Sequence, residues 1–210
     1  MRTILYLHGF ASSPAGRKIA LLRQALPARE YRIIAPDLNR PSFEKLDFEA
    51  IVAAALEAAE ADPPTVVVGS SLGALAALEA SHRGVGASLV LVAPALAFGR
   101  RWIDKLAPGD PIPFLHHGEN REIPIHRRFF EQMASLSVDR DPPRGLVTVV
   151  MGVKDESVPF EGVYATWRRW EASGGLEKGS RFVAIPDGDH GLVDHVDRIA
   201  AEVRASAASG

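Results

Sequence analysis

Six short runs of β-branched and aliphatic residues recur along the chain: Thr3 to Leu7, Arg32 to Ala35, Thr65 to Val68, Ser88 to Ala93, Leu146 to Met151 and Arg181 to Ile185. Near-continuous apolar runs, without strict polar alternation, predict strands buried on both faces, as a helix-covered parallel sheet requires. Segments of helical period lie between them. Ala15 to Leu26 spaces Ile19, Leu22 and Leu26 by three and four residues and stops at Pro27, and Phe43 to Ala61, rich in Ala and Glu, ends before Pro63-Pro64. Ser71 to His82 ends before Gly84, and Phe160 to Ala172 before Gly174-Gly175. A last helix is expected over Leu192 to Ala205, with a frayed tail beyond it at 205–210. Strands alternating with helices through right-handed crossovers define an α/β class fold: a doubly wound, mostly parallel six-stranded sheet. Its ligand crevice should lie beyond the carboxyl ends of the strands.

One stretch breaks this rhythm. Some fifty residues separate the fourth and fifth strands, carrying prolines at 108, 111, 113 and 124 and the aromatics Trp102, Phe114, Phe129 and Phe130. A plain crossover needs far fewer, so residues 95–144 are expected to form a small cap inserted in a single domain spanning 1–210. The chain carries 24 Lys plus Arg against 26 Asp plus Glu, a formal net charge of -2. Phosphate backbones find no broad attraction there, and nucleic acid is not an expected partner. With no Cys in the sequence, a Cys nucleophile, disulfides, Cys-ligated zinc and iron–sulfur clusters are excluded. No apolar run approaches the ~18 residues of a membrane span, and Ile4 to Leu7 is too short for a signal-peptide core. A soluble cytoplasmic protein is expected; the sequence is silent on oligomeric state.

Directly after the third run stands Gly69-Ser70-Ser71-Leu72-Gly73, with a helical segment behind it. This G-x-S-x-G pattern lies in the strand–turn–helix context that projects a nucleophilic hydroxyl above a sheet. A Ser hydroxyl needs a base to take its proton, and the base needs a third group to orient it. Asp155 follows the fifth strand and His190 the sixth, so the order Ser71, Asp155, His190 sets three catalytic side chains at one edge of the sheet. Glu156, Asp187 and Asp189 are competing acids. Asp155 is preferred because a carboxylate from a neighbouring strand's loop reaches Nδ1 of the imidazole more readily than a sequence neighbour does. Backbone N–H groups of Leu72, at the start of the helix, and Phe10, in the loop His8-Gly9-Phe10, are the expected oxyanion-hole donors. Ser12 and Ser13 either line that loop or cap the helix beginning near Ala15.

Tyr6-Leu7-His8-Gly9-Phe10-Ala11-Ser12-Ser13-Pro14, the Ser71 pentapeptide, the Gly152 to Val158 segment and Gly188-Asp189-His190 together resemble the YqiA-type small bacterial esterases of the α/β-hydrolase superfamily. The resemblance runs from Ile4 to the final helix, and residues 98–132 match no pattern of that group. It implies a serine esterase or thioesterase without a cofactor, acting on small-molecule acyl esters or thioesters through Ser71, Asp155 and His190. Acyl transfer to an acceptor other than water would use the same residues, and a non-catalytic binding protein could keep the same fold.

His8, Ser12, Trp102, Phe114 and Phe129 are candidate substrate-binding residues. His116-His117 with Glu119, Glu122 and His126, and the cluster Asp187, Asp189, His190, Asp194 and His195, have the composition of metal sites, yet their spacings fix no ligand set and no metal is expected. The pairs Arg100-Arg101, Arg127-Arg128 and Arg168-Arg169 are read as solvated faces.

Overall fold

The computed structural model describes residues 1–96, 103–104, 106–116 and 120–209. Six strands, β1 (Arg2–Leu7), β2 (Tyr31–Ile34), β3 (Val66–Ser70), β4 (Ser88–Val92), β7 (Val147–Gly152) and β8 (Arg181–Ile185), form one sheet in the order β2-β1-β3-β4-β7-β8. Every neighbouring pair is parallel. The central strands β3 and β4 are buried at every residue, as a sheet covered on both faces demands. Helices α1 (Arg17–Ala25) and α6 (Val196–Ser209) pack on each other, as do α2 (Phe48–Ala61) and α3 (Leu72–His82). The chain moves outward from β1 to β2, then returns past β1 to β3. That reversal opens a crevice between the carboxyl ends of β1 and β3.

Element limits shift where side chains compete for the backbone. The helix expected from Phe43 begins at Phe48, because Asp47 caps it by accepting the Ala50 N–H at 3.1 Å. The helix expected from Ala15 begins at Arg17 after Gly16, without a side-chain cap; Ser13 Oγ accepts the Ala15 N–H at 3.3 Å instead. The tail expected to fray continues α6 to Ser209. Ser206 and Ala207 are buried there, extending the apolar stripe of Val196, Ile199, Ala200 and Val203.

The long excursion contains an antiparallel hairpin, β5 (Ile112–His116) and β6 (Arg121–Ile125), followed by α4 (Arg127–Ser135). Phe129, Phe130 and Met133 form the buried face of α4. Gln132 anchors it to α2, accepting the Phe48 N–H at 2.9 Å and donating to Asp47 Oδ2 at 3.2 Å. Between β7 and β8 runs α5 (Phe160–Ala172), which buries Trp167 and Trp170.

Candidate active site

Ser71 occupies the turn between β3 and α3 with φ 53° and ψ -112°, a conformation that costs a non-Gly residue of order 1–3 kcal/mol. The surroundings hold it there. Its N–H donates to Val92 O at 3.0 Å, and its carbonyl accepts the N–H groups of Ala74 and Ala95 at 3.0 and 3.2 Å. The flanking glycines permit the close approach this turn needs. A Cβ on Gly69 would lie 2.6 Å from Ala74 Cα, and one on Gly73 would overlap the carbonyl oxygens of Leu7 and His8. The pattern G-x-S-x-G thus follows from packing as well as backbone freedom.

Two loops at the far side of the crevice are joined backbone to backbone. Val153 N–H donates to Ile185 O and Lys154 N–H to Gly188 O, both at 2.9 Å, and Gly152 lies so close that a Cβ would overlap the Gly188 carbonyl. This pairing sets Asp155 against His190. Asp155 Oδ1 accepts the N–H groups of Ser157 at 2.9 Å and Val158 at 2.7 Å, while Oδ2 accepts from His190 Nδ1 at 2.7 Å. The Asp155 side chain is wholly buried and the His190 side chain 31% exposed. A carboxylate only accepts, so Nδ1 carries the proton and Nε2 is left to accept from Ser71 Oγ, 3.1 Å away. Asp189 instead accepts the Leu192 N–H at 2.7 Å, and Asp187 lies 3.6 Å from His195.

The loop after β1 faces Ser71 from the other side of the crevice. His8 is 2% exposed; its Nε2 accepts the Leu38 N–H at 3.0 Å, which leaves the proton on Nδ1 to donate to Gly9 O at 2.9 Å. Burial lowers its pKa, opposed by the Gly9 carbonyl and by Asp37. With the Gly9 carbonyl turned toward His8, the Phe10 N–H of the same trans peptide points away from it. Neither this N–H nor that of Leu72, at the first position of α3, donates to an acceptor among the described residues. Both residues line the same cavity as Ser71 and His190.

That cavity encloses about 370 Å³ and is walled chiefly by Phe10, Phe114, Phe129, Phe130, Leu106 and Met133. Phe10 stacks on Phe129 at 6.2 Å and meets Phe114 edge-on at 5.3 Å, so the excursion's aromatics and the β1 loop form one wall. Of the residues singled out for substrate binding, Phe114 and Phe129 are in this wall. His8 braces the loop from behind and does not reach the cavity, its ring nitrogens being taken up by Leu38 and Gly9. Ser12 also lies outside it: its carbonyl accepts from Asn39 Nδ2 at 3.1 Å. Trp102 lies outside the described residues, as do His117, Glu119, Arg100 and Arg101. Phe130, one of the aromatics of the excursion, also lines the cavity, whereas Met133 and Leu106 were not legible as lining residues, because their placement depends on how the excursion folds back.

Among the described residues no group of three or more His, Asp or Glu is arranged to hold a metal ion, and no helix is long and apolar enough to cross a membrane. The described arginine pairs serve structure: Arg127 donates to Ala107 O at 2.7 Å, Arg168 pairs with Glu171, and Arg169 donates to Asp139 O at 2.7 Å. Lys18 and Ser70, next to the Ser71 turn, form a polar contact that the sequence did not disclose.

A parallel sheet in this strand order, with a strained serine turn after β3 and Asp155 and His190 in the loops after β7 and β8, is the α/β-hydrolase fold. Residues 3–196 match the Uncharacterised protein family (UPF0227), and the chain belongs to that family, the YqiA family. Among solved structures it is similar to the esterase domain of a Rhodothermus marinus protein, at 17% identity and a TM-score of 0.71, covering 97% of this chain and 85% of that one. Est1E from Butyrivibrio proteoclasticus is similar at 16% identity and 0.73, covering 100% and 89%. Alpha/beta hydrolase domain-containing protein 10 from mouse is similar at 16% and 0.73, covering 97% and 88%. At these identities the likeness is one of fold. A search of curated proteins finds no match.

Proposed function

We propose that the protein is a serine hydrolase that cleaves carboxylic esters or thioesters of small to medium acyl groups. One observation carries this reading: His190 bridges Asp155 at 2.7 Å and Ser71 at 3.1 Å at the mouth of an apolar cavity. Ser71 Oγ attacks the acyl carbonyl while His190 Nε2 takes its proton; Asp155 holds the imidazole in the tautomer that can accept it. The oxyanion is bound by the Phe10 and Leu72 N–H groups, preorganised donors worth about 3 kcal/mol each. Collapse of the tetrahedral adduct expels the alcohol or thiol with the proton from His190. Water, deprotonated by the same imidazole, then releases the acid from the acyl-enzyme.

Residues 95–144 act in this reading as the cap of a single hydrolase domain and form much of the acyl pocket. The phenylalanine wall favours apolar acyl groups because it supplies contact area and few polar partners. The test compares hydrolysis of p-nitrophenyl esters and acyl thioesters by wild type and Ser71→Ala. Turnover confined to wild type supports the reading, and equal turnover by purified Ser71→Ala refutes it.

A further inference from the structure

Next to the Ser71 turn lies a polar cluster that this reaction scheme does not use. Lys18, in the first turn of α1, sends its Nζ to Ser70 Oγ at 2.8 Å. Ser70 is the residue before Ser71 and is 5% exposed, and its hydroxyl lies beside the phenol of Tyr6 on β1. Helix α1 follows directly on the loop that carries Phe10. One ammonium therefore ties the helix behind that loop to the backbone leading into Ser71.

The cluster is also charged. An ammonium taken out of water is costly without an answering charge. Asp189 and Asp155 provide it, acting on Lys18 through space to keep it protonated. Burial nonetheless outweighs them and pulls its pKa down to about 8. Asp189 and Asp155 are the charged groups that act on it, and Tyr6, next to the same Ser70 hydroxyl, stays neutral because burial pushes its pKa far up. Asp155 is wholly buried against His190, and Asp189 belongs to the loop that carries His190. With Lys18 charged, it sums with Asp155, Asp189 and neutral His190 to one net negative charge at rest; once His190 has taken the Ser71 proton these four sum to zero, and the negative charge lies on the oxyanion. Without it, each state carries one more buried negative charge.

We propose that Lys18 is a positioning residue for Ser71 and His190: its ammonium fixes Ser70 and supplies the counter-charge shared by Asp155 and Asp189. The proposal rests on the Ser71-His190-Asp155 reading above. Its chemistry at Ser71 is unchanged; what Lys18 adds is the alignment and charge balance that the proton transfer needs.

The test follows the rate of fluorophosphonate labelling of Ser71 from about pH 6 to about pH 10 in wild type, Lys18→Met and Lys18→Arg. Wild type should slow through an inflection near pH 8, as Lys18 loses its proton. Lys18→Met should label about ten-fold more slowly or worse below that pH and show no such inflection. Lys18→Arg, charged across the range, should lose the inflection too. An inflection that survives in either variant, or wild-type labelling rates in Lys18→Met, overturns the proposal. Should Lys18→Met fail to fold, the wild-type profile decides, because a rate that stays flat or rises through pH 8 also overturns it. Absence of any labelling in folded wild type overturns the reading of Ser71 as an activated nucleophile instead, so the two failures are distinguishable.

Discussion

Asp155→Asn changes one carboxylate to an amide of the same shape, and the structure dictates how the amide must sit. Oδ1 accepts two backbone N–H groups, from Ser157 and Val158, and Oδ2 accepts His190 Nδ1 at 2.7 Å. An amide has one oxygen. Facing its NH₂ toward the two backbone donors would leave both unsatisfied in a buried site, at a cost of about 1–3 kcal/mol each. The oxygen therefore stays on the backbone donors and the NH₂ faces His190. Nδ1 must then accept, the ring proton moves to Nε2, and the imidazole can no longer take the proton of Ser71. We predict a fall in kcat of about 10⁴-fold, or ~5.4 kcal/mol on the barrier, with KM little changed. Initial rates on a p-nitrophenyl ester measure it, with a thermal melt to verify folding. A rate within about ten-fold of wild type would refute this account of the tautomer and redirect attention to Glu156, Asp187 or Asp189.

Three other outcomes follow from the same geometry. Gly73→Ala drives a Cβ into the carbonyls of Leu7 and His8, and should cost about 2–3 kcal/mol in urea unfolding, together with most of the activity; a neutral effect would show that the turn relaxes. Ser71→Ala and His190→Ala should each remove nearly all turnover, and the double variant should lose little more, since the residues act as a unit; additive losses in kcat would contradict that. His8 has a folded pKa below its ordinary value, so the unfolded chain binds the extra proton. Its stabilising contribution is complete above about pH 6.5 and is lost as the pH falls below that value. Melting temperatures on the acid side should accordingly decline less steeply in His8→Gln than in wild type, and parallel declines would remove His8 as the cause.

Much of the sheet was legible in the sequence because buried parallel strands are nearly all apolar: Ser88–Val92 and Arg181–Ile185 lie where their runs predict them. The turn at Ser71 was legible because two glycines, a strand and a helix specify one close approach. The hairpin Ile112–His116 and Arg121–Ile125 was not. Each strand carries a proline, Pro113 opposite Pro124, which argues against a strand unless the sheet has only edges, as a two-stranded sheet does. Lys18 was hidden for another reason. A lysine on an amphipathic helix ordinarily faces water, and only the three-dimensional approach of Ser70, Asp155 and Asp189 marks this one as turned inward and partly buried. The end of α6 was misjudged from its Ala and Ser content, whereas docking against α1, with Arg204 donating to Ala25 O at 3.2 Å, holds the last turns in place.

The central claim is that Ser71 is a nucleophile activated by His190, and intact-mass detection of a fluorophosphonate adduct, with peptide mapping, tests it without knowledge of the substrate. The account predicts one adduct on wild type, mapped to Ser71 and absent from Ser71→Ala and His190→Ala. No adduct on folded wild type, or an adduct that persists on Ser71→Ala, would contradict it.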